Sequence, residues 1–127
     1  MSSTRTFDPE LISLMDATDE IVIETIRASG EPRQTVIWIV SDGADAYIRS
    51  VNGPRGRWLQ DVVAQPEAMI TIGGERIPVE AVPAADDATV ELVNDLLRAK
   101  YGHRSRASTA SMLQPETLET TLRLDPA

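Results

Sequence analysis

Apolar and polar positions alternate with period two over Asp19 to Ala28 (DEIVIETIRA), with Ile21, Ile23 and Thr25 on one side and Val22, Glu24 and Ile26 on the other. That is the pattern of a half-buried strand. Ser29-Gly30-Glu31-Pro32 turns the chain into Thr35 to Val40, a β-branched and aromatic run, and Ser41-Asp42-Gly43 turns it again before strand chemistry resumes over Ala46 to Val51. Ala68 to Ile72 and Arg76 to Val82 flank Gly73-Gly74-Glu75 as a further hairpin, in which Pro78 argues for an edge position or a bulge. Thr117 to Leu124 is the last strand, stopped by Asp125-Pro126.

Helical spacing occurs in three places. Asp8-Pro9-Glu10 is a helix start, with Asp8 as N-cap, Pro9 in the first helical position and Leu11, Ile12, Leu14 and Met15 as the apolar side. Gly56 to Ala64 carries Trp58, Val62 and Val63 at helical spacing and ends at Gln65-Pro66. Asp86 or Asp87 caps a third helix whose stripe is Val90, Val93, Leu97 and Tyr101, with Gly102 at its C-terminal end. His103 to Met112 is polar, rich in Ser and Ala, and reads as a mobile loop. The expected fold is mainly β (α+β), six strands with two or three helices, closed into a small barrel because closure removes the exposed edges of an open sheet.

Composition narrows the class. At 127 residues the chain suits one domain, 1–127, with residues 1–6 expected to be flexible. Apolar residues make up 42% and aromatics only 4%, so Ile, Val, Leu and Ala must fill the core, and a small domain of this kind gains burial by dimerising. The absence of Cys removes disulfides, thiolate metal sites and cysteine nucleophiles, and a single His leaves little for a metal. Met1 to Thr6 has no apolar signal core and no run reaches membrane-spanning length, which leads to the expectation of a cytoplasmic protein without a membrane partner.

Charge placement supplies the candidate chemistry. The chain has 20 Asp plus Glu against 12 Lys plus Arg, for a net charge of -8, which opposes general nucleic-acid binding. Yet Ala46 to Gln60 carries Arg49, Arg55 and Arg57 without a carboxylate, and Leu96 to Pro115 carries Arg98, Lys100, Arg104 and Arg106 without one. Acid-free cationic stretches in an acidic chain suit a small phosphorylated ligand, or else are two solvated faces. Trp58 is either a core plug or an aromatic wall for a planar ring, Trp38 belongs to the core or a dimer interface, and His103 is a proton donor or simply solvated. Asp61 stands four residues after Arg57, the spacing of a surface salt bridge. Ser50 lacks the partners of a hydrolase nucleophile, so no catalytic residue is named.

The order Gly30-Glu31-Pro32-Arg33, Ile37-Trp38, Asp42-Gly43, Tyr47-Ile48-Arg49-Ser50, a Gly/Pro loop, Arg57-Trp58, Asp61, Pro66, Gly73-Gly74, Lys100-Tyr101-Gly102 and Thr121-Leu122-Arg123-Leu124 resembles the flavin-binding split-barrel superfamily. Within it the chain is similar to deazaflavin-dependent nitroreductases, more distantly to pyridoxamine-phosphate oxidase, and most of all to the small bacterial family called domain of unknown function 2255. The resemblance implies a six-stranded split barrel that forms a homodimer, with FMN or a deazaflavin at the subunit junction. It makes Ser50, Asn52, Gly53, Arg55, Arg57 and Trp58 candidate cofactor contacts, beside Arg49 and Lys100 from the cationic stretches. Glycine admits close backbone approach to phosphate, Arg pairs with it through two N–H groups, and Trp stacks on a ring. The chain departs from the deazaflavin enzymes at Val51-Asn52-Gly53, where they tend to have Lys and paired glycines, and at Asp61, where they have Asn. A carboxylate there needs an Arg to neutralise it. The implied function is an oxidoreductase-like protein, and the alternative is a non-catalytic dimeric split barrel acting as a small-ligand binder or interaction module.

Overall fold

The computed structural model describes residues 6–127; the first five residues, and with them most of the segment expected to be flexible, lie outside it. The alternation over Asp19 to Ala28 does form a strand, β1 (Glu20–Ile26), whose Ile21, Ile23 and Thr25 are buried. It pairs antiparallel with β2 (Pro32–Trp38) from Glu20 opposite Trp38 to Ile26 opposite Pro32. The remaining strands are β3 (Val40–Ser41), β4 (Ala46–Ile48), β5 (Glu67–Ile72), β6 (Glu75–Pro83) and β7 (Leu122–Pro126). They form one antiparallel sheet in the order β2-β1-β5-β6-β7-β4-β3, a half-barrel.

Among the described residues seven strands stand where six were expected, because the run through Thr35 to Val40 is cut at Ile39. Its first piece, β2, lies at one edge of the sheet, and its second, β3, at the other. At the cut neither ladder serves Ile39, which is fully buried. Its N–H donates to the Tyr101 hydroxyl at 3.3 Å, and its carbonyl accepts from Lys100 Nζ at 2.7 Å. A buried peptide without partners costs about 1–3 kcal/mol, so these two side chains hold the seam.

The helices are α1 (Pro9–Ala17), α2 (Arg57–Ala64), α3 (Asp87–Tyr101), α4 (Arg106–Met112) and α5 (Pro115–Leu118), with a 3₁₀ turn at Gly53–Arg55. The stretch read as a mobile loop thus contains α4, capped by the Ser105 hydroxyl on the Ser108 N–H and anchored by buried Thr109 and Met112. The run read as a strand from Thr117 is shortened, since α5 takes Thr117 and Leu118. Asp86 caps α3 through the Thr89 N–H, as its position suggested. Asp8 makes no such side-chain bond. Pro78 is on an interior strand rather than an edge, tolerated because the β6–β7 ladder begins only at Val79 opposite Pro126.

Two apolar clusters hold these elements. The larger fills the curl of the sheet with Ile23, Ile48, Ile70, Val79 and Leu124, closed by Met15 of α1 and by Trp58, Leu59 and Val62 of α2. The smaller packs Val93, Leu97 and Tyr101 of α3 against Val40, Tyr47 and Met112. Trp38 stacks on Tyr101 with ring centroids 3.9 Å apart and planes 7° from parallel, which joins the seam to the second cluster. No helix is long and apolar enough to cross a membrane among the described residues.

Candidate ligand-binding site

The loop after β4 is shaped by two glycines. Gly53 has a φ of 64°, the left-handed region that favours glycine, and a Cβ there would stand 3.1 Å from the Glu116 carbonyl oxygen. A Cβ on Gly56 would come within 2.1 Å of the Ser50 hydroxyl oxygen. The loop therefore lies flat on α5 and presents Asn52, Arg55 and Arg57 outward.

Those three residues, with Trp58, form one wall of a cleft of about 520 Å³. The opposite wall comes from the β1–β2 hairpin: Arg27, Arg33, Gln34 and Thr35. Among the described residues no carboxylate lines it. Thr35, Asn52 and Trp58 also line a second cavity of about 300 Å³, so the two adjoin at the Trp58 ring. The second is walled mainly by Val36, Ile37 and Trp38 of β2, by Val51, and by Ser108, Ser111 and Met112 of α4, with Glu20 at its edge. Trp58 is 6% exposed and belongs to the core cluster, as the core reading expects, and it also lines both cavities.

Asp61 does not pair with Arg57. Its carboxylate accepts the Thr25 hydroxyl at 2.7 Å and Arg33 Nε at 2.8 Å, and the residue is only 8% exposed. The reason is the face of α2: Asp61 lies on the side carrying Trp58 and Val62, which packs toward β1, while Arg57 is exposed. The carboxylate that needed neutralising has its arginine, supplied by the hairpin.

Arg49 is a different kind of cation. It is 2% exposed and donates to Thr121 Oγ1 (2.8 Å), Asn94 Oδ1 (2.6 Å), the Met112 carbonyl (3.2 Å) and the Val90 carbonyl (3.0 Å). Those bonds tie β4 to α3 and to the segment before β7. None of its partners is a carboxylate, and burial lowers its pKa to about 10. It also lines the second cavity, to which it brings an uncompensated positive charge. Ser50 is buried with its N–H on Thr120 Oγ1, and its hydroxyl has no partner among the described residues.

Lys100 is not brought to the arginines. Its ammonium donates to the Met15 and Ile39 carbonyls, both at 2.7 Å, beside a separate small cavity with Asp16 and Leu96, and burial pushes its pKa down to about 8. The other cations of that stretch are also spread out, for Arg98 pairs with Asp95, Arg104 pairs with Asp19, and Arg106 is exposed at the start of α4. His103 is exposed and lines neither cavity. Conversely, Arg27 and Arg33 complete the cleft although neither lies in the two acid-free stretches that supplied the candidate chemistry. The available signal was their place at the two ends of one hairpin turn, with Arg33 opposite the inward-facing Thr25. Among the described residues no group of three or more His, Asp or Glu is placed to hold a metal ion.

Comparison with known proteins agrees with this architecture. The sequence profile of a family described as "Uncharacterized protein conserved in bacteria (DUF2255)" matches residues 11–124. No curated protein matches. Among solved structures, HutZ, described as the haem storage protein of Vibrio cholerae, superposes with a TM-score of 0.64 at 14% identity, over 94% of this chain and 89% of that one. A putative pyridoxamine 5'-phosphate oxidase from Listeria innocua gives 0.62 at 14%, over 93% and 90%. An F420-H2 dependent reductase, FDR-A, gives 0.64 at 16%, over 84% and 93%. At such identities the likeness establishes the split-barrel fold and nothing finer.

Proposed function

The chain belongs to the DUF2255 family, and on that footing we propose that it is a flavin- or deazaflavin-binding, oxidoreductase-like protein whose cofactor spans the two adjoining cavities. The observation that carries this reading is the composition of the cleft. In a chain with 20 acidic and 12 basic side chains, four arginines line one cleft and no carboxylate does. Such a wall favours a phosphorylated group. The second cavity supplies what a planar ring requires, since it is mainly apolar and Trp58 and Trp38 are among its walls. Volumes of about 300 and 520 Å³ fall in the usual range for small-molecule sites. The reductase and the putative oxidase among the structural neighbours lend the reading support, while the haem storage protein is a reminder that one fold serves several ligands.

In this reading Arg55 and Arg57 hold the phosphate, Asn52 and the backbone at Gly53 bring the loop against it, and Trp58 orients the ring. Arg49 places positive charge beside the ring cavity, where it favours an anionic form of whatever is bound. A bound flavin or deazaflavin would supply hydride transfer, and the protein would position it and exclude water. The rim of the ring cavity carries Val36 and Val51, which are 59% and 50% exposed, and Val36 belongs to the edge strand β2. A second copy laid against this edge would cover both valines and complete the cavity, which makes the protein a homodimer with its cofactor at the junction. Among the described residues lining the ring cavity only Glu20 and Arg49 are ionisable, Glu20 exposed and Arg49 with four of its five N–H groups committed to neutral acceptors. That scarcity favours, as a second reading, a dimer that binds the ligand without turning it over.

Replacing Arg55 or Arg57 with Ala tests the phosphate assignment. Loss of a charge-assisted contact should weaken FMN binding by about 1.5–3 kcal/mol and leave thermal stability unchanged, since both side chains are exposed. Unchanged affinity would return these arginines to solvent, and an equal loss with riboflavin, which has no phosphate, would move their role to the ring.

A further inference from the structure

We infer that the cleft holds two anionic groups, the second on Arg27 and Arg33 of the β1–β2 hairpin, so that the ligand carries a polyanionic tail beyond a single phosphate. The inference rests on the proposed phosphate site at Arg55 and Arg57 and extends it to the facing wall. Arg33 is a prepared donor. Its Nε is tied to Asp61, and Asp61 is held in turn by the fully buried Thr25. This fixes the guanidinium plane while the four N–H groups on its two terminal nitrogens have no hydrogen-bond partner among the described residues, in a side chain that lines the cleft. Arg27 closes the same hairpin, its backbone N–H donating to the Glu31 carbonyl at 2.8 Å, and its side chain is exposed on the cleft wall.

Charge pairing elsewhere in the molecule sharpens the point. Arg76, Arg98, Arg104 and Arg123 each pair with a carboxylate, and outside the cleft only Arg49, which is buried on neutral acceptors, and the exposed Arg106 have none among the described residues. In the cleft Asp61 offsets Arg33 alone, and Arg27, Arg55 and Arg57 have no ion-pair partner among the described residues. Three positive charges facing one another repel, and one phosphate, carrying about two negative charges, leaves one of them uncompensated. A tail with two or more anionic groups, whether a pyrophosphate or a phosphate followed by carboxylates, offsets all three and uses both walls.

Calorimetric titration with inorganic probes reads the cleft without the ring. Tripolyphosphate should bind at least about tenfold more tightly than orthophosphate. Arg27→Gln and Arg33→Lys, the latter keeping a positive charge for Asp61, should each remove most of that gain while orthophosphate affinity holds. Equal affinity for the two probes, or a gain that survives both substitutions together, overturns the second subsite. Tripolyphosphate binding with the predicted sensitivity but no affinity for any flavin would sink the cofactor reading and leave this one standing. FMN binding that ignores Arg27→Gln, with no gain for tripolyphosphate, would do the reverse. Where FMN does bind, a gain over it for the flavin dinucleotide assigns the tail as pyrophosphate, a gain for an oligoglutamyl deazaflavin assigns it as carboxylates, and a gain for neither overturns the inference.

Discussion

Removing one oxygen atom at the seam, by Tyr101→Phe, should measure how the broken strand is held. The Tyr101 hydroxyl accepts from the Ile39 N–H at 3.3 Å and donates to the Asp19 carbonyl at 2.6 Å. Phenylalanine keeps the ring on Trp38, so the stack and the buried area are nearly unchanged. The Ile39 carbonyl keeps Lys100, but the Ile39 N–H is left buried and unpaired. An orphaned buried donor costs about 1–3 kcal/mol and a lost hydrogen bond about 0.5–1.5 kcal/mol, which together place the destabilisation at about 1.5–4.5 kcal/mol. For a domain of this size that is a fall in Tm on the order of 10 °C. Urea unfolding followed by circular dichroism should show a lower midpoint with the same slope, since the surface exposed on unfolding does not change. A loss below about 0.5 kcal/mol would refute the argument that the seam peptide depends on this hydroxyl.

Two further outcomes follow from the same geometry. Lys100 titrates in the folded protein at about 8, below its unfolded value near 10.5, so the unfolded chain binds the extra proton and stability should rise between about pH 8 and 10. Tyr101 is pushed up to about 12 from 10, so its contribution, complete below pH 10, is lost as pH climbs toward 12. Chemical denaturation across pH 7 to about 11 should therefore show a maximum near pH 10, and Lys100→Gln should flatten the rising limb; a flat wild-type curve over that limb contradicts the assignment. At the edge strand, Val36→Glu places a charge on the proposed junction and should convert a dimer into a folded monomer in sedimentation velocity. A wild type that is already monomeric at micromolar concentration would dispose of the junction altogether.

The strands were legible because alternation reports burial directly: Ile21, Ile23 and Thr25 are inward as their spacing requires. The cut at Ile39 was not, since Thr35 to Val40 is uniformly strand-forming and the break is imposed by a curl of the sheet that only long-range pairing defines. α4 was missed because just two of its residues, Thr109 and Met112, are buried, too few to leave a periodic stripe. In the site, the loop arginines were visible as an acid-free stretch, and Asn52, Arg55, Arg57 and Trp58 do come together. Arg49, six residues before Arg55, looks the same in sequence, yet it is committed to acceptors 41 to 72 residues away. Asp61 was assigned the local partner its spacing offered, whereas its actual partner, Arg33, is 28 residues distant in sequence. Short-range spacing found the Asp86 cap; it carries no information on which hairpin will be laid against a helix.

The most direct measurement of the central claim is the absorption spectrum of the purified protein, followed by titration of any colourless fraction with FMN and with a deazaflavin. The account predicts that one of them binds with the perturbed spectrum of a ring set against tryptophan, and that Trp58 fluorescence is quenched in step with occupancy. Colourless protein whose spectrum and fluorescence do not respond to saturating concentrations of either would contradict it.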